Sequence, residues 1–209
     1  DLKGGKWEWQ KPGCLDNVDF LLSLTNLTNL NLEGGKELEV FPTKLHMITR
    51  EEVALYQQKI CIYKAIISSD MDVILSYKDA VIMDLSSCAL QNVDALSKLT
   101  NLTSLALNGC SSLQNVDGLA NLTKLTSLNL HYCKSIQNAD GLANLPNLTS
   151  LDLSACWSLQ NVDGLANLIN LSSLDLNGSN KVQPKPSIGK MTTRKEVAAY
   201  QEEIKKSMK

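Results

Sequence analysis

The chain has 209 residues, a formal net charge of −2 and 44% apolar residues, which excludes a disordered polymer and gives enough length to bury a core. The near-neutral balance argues against a nucleic-acid partner, which needs a basic face, and no apolar run approaches the roughly 18 residues that span a membrane. The apolar share is skewed: 36 leucines and 18 asparagines stand against 3 Trp, 5 Tyr and 2 Phe. Ordinary cores mix aliphatic residues with aromatics to fill irregular space, so this surplus points to one packing problem solved repeatedly. No signal peptide is visible, and the opening at Asp1 rather than Met fits a processed or truncated form.

In chain order, the first expected strands centre on Trp7/Trp9 and Leu30/Leu32, 23 residues apart. Gly34-Gly35 and Pro42 then punctuate the chain, and a helix is predicted over residues 50–67. Thr49 and Glu52 form a capping box for it, and Val53, Tyr56, Ile60, Tyr63 and Ile67 recur at helical spacing. Next come Met83/Leu85, Leu105/Leu107, Leu128/Leu130, Leu151/Leu153 and Leu174/Leu176, separated by 22 and then three times by 23. In each pair both leucines point inward and the residue between faces out, as alternation along a strand requires. The stretch Asp117-Gly118-Leu119-Ala120-Asn121-Leu122 carries the chain back across the other face. Asp19, Asp94, Asp117, Asp140 and Asp163 are expected to cap these short helical turns, which is a stronger reading than a row of calcium or acid-catalysis ligands. A single coil cannot bury its leucines, so the array is the folding unit. The helix signature MTTRKEVAAYQEEIKK closes the chain, with Met191 placed 144 residues after Met47, as Leu174 is after Leu30.

The recurring LxxLxLxxC pattern resembles the leucine-rich repeat family over all but the two helical segments. The stretch VDGLANLTKLTSL is similar to the bacterial internalin and SDS22-like subclass, while Cys88, Cys110, Cys133 and Cys156 resemble the cysteine-containing subclass. The resemblance implies an α/β leucine-rich-repeat solenoid: a right-handed coil with a curved parallel sheet on its concave face and short helices and loops on its convex face. Two longer helices interrupt or cap it. The organisation expected is N-terminal coils over 1–35, a helical insertion over 36–80, continuous repeats over 81–179 and a C-terminal helical cap over 180–209. The internal helix is expected to pack on the convex side. The chain reads as a piece of a longer array or an array ending on its own helix. The bacterial resemblance points to a secreted or cell-surface setting.

The four repeat cysteines form a ladder along the axis. A straight ladder does not converge on a metal, and side chains buried in parallel do not favour bridging. A small buried residue whose S–H bonds a loop carbonyl is the expected role; Pro12, Gly35 and Ser179 take the same position elsewhere. The Asn-x-Thr/Ser triplets at Asn26, Asn101, Asn121, Asn147 and Asn170 are by-products of the repeat. With only His46 and His131, and no Gly-rich phosphate loop or HExxH, the sequence holds no catalytic grouping and implies no cofactor.

Function is left to the outward residues of the strand face. Most are small and neutral: Ser104, Ala106, Asn108, Ser127, Ser150, Ser154, Ser173 and Asn177. The candidate partner-binding residues are His131, Tyr132 and Trp157, with Asn129, Asp152 and Asp175 beside them. Tyr and Trp are typical interface anchors, although drift among duplicated coils would also produce such variation. The expected function is a non-catalytic module binding a protein or peptide through its concave face. A self-associating structural array, or the targeting region of a larger enzyme, are the alternatives.

Overall fold

In the computed structural model the described residues are 7–8, 30–31, 46–47 and 49–209. The Leu-x-Leu pairs form the strands as the period predicts. Strand β1 (Trp7–Glu8) pairs in parallel with β2 (Leu30–Asn31), in the register Trp7 to Leu30. A second sheet runs β4 (Ile82–Asp84), β5 (Ser104–Ala106), β6 (Ser127–Asn129), β7 (Ser150–Asp152) and β8 (Ser173–Asp175), all parallel. Leu105, Leu128, Leu151 and Leu174 stand side by side across it.

Two further strands were not expected. Both β3 (His46–Met47) and β9 (Lys190–Met191) are two residues long and pair antiparallel with β2 and β8. Leu30 lies opposite Met47 as Leu174 lies opposite Met191, so the 144-residue repeat includes the strand that leads into each helix. Those helices are α1 (Arg50–Ser68) and, after the short α2 (Met71–Ser76), α3 (Arg194–Ser207). Helix α1 begins with the predicted reciprocal cap, the Glu52 N–H donating to Thr49 Oγ1 at 3.2 Å, and α3 begins with the same cap, the Glu196 N–H donating to Thr193 Oγ1 at 3.3 Å.

In the described coils from Leu85 to Leu176, the inward leucines, Val116, Val162 and Ile136 are buried in one continuous core. Each such side chain removed from water is worth about 1.5–3 kcal/mol, and its neighbours come mainly from the adjacent coils. The helix α1 joins this core through Val53, Tyr56, Ile60, Tyr63 and also Ile62, Ala65 and Ile66. Ile67, expected on the buried face, is instead 54% exposed. A repeat averaging 3.5 residues drifts around a helix of 3.6, and the last turns of α1 bury Ile66 in its place. Its polar contacts run to the first coil: Lys59 Nζ donates to Ser86 Oγ at 3.1 Å and lies 3.7 Å from Asp84. The helix therefore meets the edge of the second sheet, at Ser86 two residues past the end of β4, rather than the convex side.

The aspartates also do something other than expected. The turns Asp94–Lys98, Asp117–Leu119, Asp140–Leu142 and Asp163–Asn167 are 3-10 helices whose cap positions fall on Val93, Val116, Ala139 and Val162. Each aspartate is the first residue inside its turn, and its own N–H donates to the asparagine two residues earlier: Asn92, Asn115, Asn138 or Asn161. The asparagine thus closes an Asx turn that delivers the chain into the helix. Asp140 reaches to the next coil, accepting the Gly164 N–H at 3.0 Å and Asn161 Nδ2 at 3.1 Å. Asp19, Asn26, Pro12, the Gly34-Gly35 pair and Pro42 lie outside the described residues.

The glycine that follows each aspartate is set by coil spacing. A Cβ on Gly118 would stand 2.5 Å from Asp94 Cα and 2.6 Å from the Val93 carbonyl oxygen of the preceding coil. The first coil carries Ala95 at this position, where α2 rather than another coil adjoins the turn. Gly118→Ala should therefore destabilise the fold by about 1–3 kcal/mol through overpacking, read as a lowered midpoint in urea unfolding. A midpoint equal to that of the unsubstituted chain would refute this account of the spacing.

Candidate partner-binding site

The cysteine ladder separates scaffold from candidate surface. Cys110 Sγ donates to the Leu85 carbonyl at 3.1 Å, Cys133 to Leu107 at 3.1 Å and Cys156 to Leu130 at 3.2 Å. Ser179, one rung on, donates to Leu153 at 2.7 Å in the same way. Cys88, with no strand before it in this sheet, bonds within its own coil, to Ser86 at 3.8 Å. Burial pushes these thiols up, Cys110 to about 11 and Cys88 and Cys156 to about 12, from an ordinary 9.0. All four are free, and among the described residues no three His, Cys, Asp or Glu side chains converge as metal ligands. No helix among the described residues is long and apolar enough to cross a membrane.

The outward end of each strand is fixed by a second ladder. The carboxylates of Asp84, Asp152 and Asp175 and the amide oxygen of Asn129 each accept the backbone N–H two residues on. Three of the candidate residues, Asn129, Asp152 and Asp175, thus have turn-forming work independent of any ligand. Asp175 also lies 3.5 Å from Lys190 of β9. Among the described residues no cation pairs with Asp152, whose Oδ1 accepts both the N–H and the hydroxyl of Ser154.

Immediately after this turn the chain takes a left-handed conformation. Ser87, Gly109, Tyr132, Ala155 and Gly178 occupy equivalent positions, with φ between 54° and 77°. Two of the five are glycine, the residue this conformation suits, and a Tyr there is a genuine outlier. Tyr132 leans onto Trp157 edge to face, with centroids 5.3 Å apart, and His131 lies 5.9 Å on its other side. Lys134 Nζ sits 4.1 Å from the Tyr132 centroid and 4.8 Å from that of Trp157. Tyr132 is 38% exposed and Trp157 50%, so the cluster is an open projection rather than part of the core. His131 Nδ1 bonds Ser154 Oγ at 2.8 Å, linking the ring to Asp152 through the serine.

The structure therefore brings together His131, Tyr132, Trp157 and Asp152, with Asn129 joined through the His131 N–H. It leaves Asp175 on the next strand, tied to Lys190. Lys134 was missed, although its signal is in the sequence: it precedes Trp157 by one period of 23 and so shares its column.

The stacked coils, inward leucines and outward turn residues define a leucine-rich-repeat protein. A model of the At1g61320/AtMIF1 LRR domain matches residues 51–208, and the chain belongs to that leucine-rich-repeat family. The leucine-rich-repeat fold is typically a non-enzymatic interaction scaffold. No curated protein sequence matches the chain. Among solved structures it is similar to an internalin of Listeria monocytogenes, with 20% identity and a TM-score of 0.40 over 62% of this chain and 44% of that one. Internalin C2 of the same organism has 20% identity and a TM-score of 0.37 over 60% of this chain and 70% of that one. A leucine-rich-repeat protein of Leptospira interrogans has 19% identity and a TM-score of 0.28, covering 53% and 43% of the two chains. The chain thus spans less than half the length of the first of these.

The thiol ladder makes its own prediction. Burial favours the neutral thiol, so its stabilisation is present below the unfolded thiol's pKa of about 8.5 and is lost as pH rises through the folded values. Unfolding free energy should fall between pH 9 and about 12, and Cys133→Ser, which reproduces Ser179, should cost less than Cys133→Val. The valine removes one of the two donors to the Leu107 carbonyl, which keeps the Cys110 N–H at 3.1 Å, so the difference should be that of one hydrogen bond, about 0.5–1.5 kcal/mol. Denaturant melts across that pH range and of both variants check this; equal costs would refute it.

Proposed function

We propose that this module is non-catalytic and binds a protein or peptide partner on its concave face, at the projection formed by His131, Tyr132 and Trp157 with Asp152. The observation that carries the reading is Tyr132 in the left-handed column. Backbone strain of roughly 1–3 kcal/mol is held at a position where glycine would relieve it, and the aromatic placed there is open to solvent. Ser87 and Ala155 show that the column accepts small side chains, but Tyr132 is the one bulky residue in it among the described coils, and an interface anchor with few rotamers fits the position. Asn129 and Asp175 flank the projection along the strand row.

The test is a binding assay against captured partners with the triple variant Tyr132→Ala, Trp157→Ala, Asp152→Ala. Partner binding should be lost while the melting curve stays cooperative; undiminished binding overturns the site. Tyr132→Gly separates anchor from scaffold. Relief of the left-handed strain and loss of the ring contacts, about 0.5–1.5 kcal/mol for an aromatic pair, nearly cancel. Stability should stay within about 1 kcal/mol of the parent while partner binding drops. A loss of the 3–5 kcal/mol typical of a trimmed core aromatic would make Tyr132 structural instead.

The 144-residue repeat of strand, antiparallel strand and helix supports a second reading, in which such units build a self-associating array. Light scattering discriminates, since assembly predicts growth with concentration and the binding-module reading a constant mass.

A further inference from the structure

Proton bookkeeping within the cluster restricts what chemistry it can receive, on the reading that this projection is the binding surface. A serine hydroxyl carries one proton. That of Ser154, whose side chain is buried, is donated to Asp152 Oδ1. Ser154 Oγ can then only accept from His131, so the neutral imidazole carries its proton on Nδ1 and presents Nε2 as a lone pair. Asp152 Oδ1 already takes two hydrogen bonds within the turn, leaving the two lone-pair sites of Oδ2. Both groups that this network leaves available are therefore acceptors, and one of them is anionic without a recorded counter-ion. The row they belong to is acidic at Asp84, Asp152 and Asp175; Lys59 and Lys190 lie against Asp84 and Asp175, and Lys134 faces the Tyr132 and Trp157 rings instead of a carboxylate.

We infer that the cluster recognises an arginine side chain of a protein or peptide partner, held by Asp152 and the Nε2 of His131. Guanidinium is donor-only, with forked N–H groups that can address a carboxylate oxygen and a neighbouring acceptor together. Its planar face suits the rims of His131 and Tyr132. A cation seeking only aromatic faces, such as a quaternary ammonium, finds those of Tyr132 and Trp157 already shared by Lys134.

The experiment is a titration of the full isotope-labelled chain with acetyl-Gly-Arg-Gly-amide and its Lys and Glu counterparts, followed by NMR. The reporter is the Trp157 indole N–H, assigned by its loss in Trp157→Phe. The Arg peptide should give a saturable millimolar shift, the Lys peptide a weaker one and the Glu peptide none. Asp152→Asn should weaken the Arg peptide roughly tenfold while keeping the turn, since Asn129 makes the same turn bond one coil earlier. His131→Phe, which keeps a ring but removes Nε2, should weaken it as well and serves if the first variant misfolds. An equal or stronger response to the Glu peptide, no saturable response to Arg, or unchanged affinity in both variants overturns the arginine assignment. Each of those results leaves the surface itself standing, which fails only if the triple variant retains the natural partner.

Discussion

Every coil of this protein carries polar groups that only its neighbour can satisfy. The Leu107 N–H donates to Asn129 and the Leu130 N–H to Asp152, and so on along the sheet. Below the strands the Cys133 thiol looks back to the Leu107 carbonyl. On the far side, Thr126 Oγ1 donates to Thr103 and Thr149 to Thr126. Asn147 and Asn170, which the sequence marks as glycosylation triplets, donate their amides to carbonyls of the preceding coil. Separating two coils would strand all of these at once and uncover a row of leucines. That mutual dependence accounts for the near-constant spacing of 22 or 23 residues, because a longer or shorter coil would misalign the ladders to its neighbours.

The ends are handled by helices that use one signature differently. In α3, Val197, Tyr200 and Ile204 enter the core, and Gln201 Nε2 donates to the Leu165 and Leu168 carbonyls of the last turn at 2.7 and 3.0 Å. Val53, Tyr56 and Ile60 of α1 are the counterparts 144 residues earlier. Beyond them the helices diverge: α1 buries Ile62, Tyr63, Ala65 and Lys59 where α3 has exposed Lys206, Ser207, Lys209 and Glu203. The same cap is thus amphipathic on one side in α3 and packed around much more of its circumference in α1.

Much of this was legible because it is periodic. The 22- and 23-residue spacing located the seven parallel strands among the described residues, and the Thr49/Glu52 pair and the 144-residue repeat located the two long helices. The thiols were expected to bond a loop carbonyl, without it being specified as the second leucine of the preceding coil. What escaped was whatever a period does not encode. The two-residue strands β3 and β9 are defined by a partner across the sheet, and Lys190-Met191 has no pattern of its own. Asp163 was expected to cap and Asn161 does the turn-closing instead, because such residues are interchangeable by type and are distinguished only by backbone geometry. The strain at Tyr132 left a faint trace, since Gly109 and Gly178 sit at the same phase three periods apart, but Tyr132, Ala155 and Ser87 obscure it. The candidate site was half visible: unusual residues stood out against repetition, whereas the Ser154 relay uses a residue that looks like all the others.

The ladders of nearest-neighbour bonds also determine how such a molecule comes together. Most pairings join residues about 23 positions apart, so no coil waits for a distant part of the chain before it can form. Its growth is that of a zipper, in which adding a coil to an existing pair closes a loop of constant, short length. The slow event is making the first stacked pair, before any ladder exists to be extended. The central coils, with a neighbour on each side, are then the natural place for that event and the last to open, and Tyr132 and Trp157 are carried on two of them.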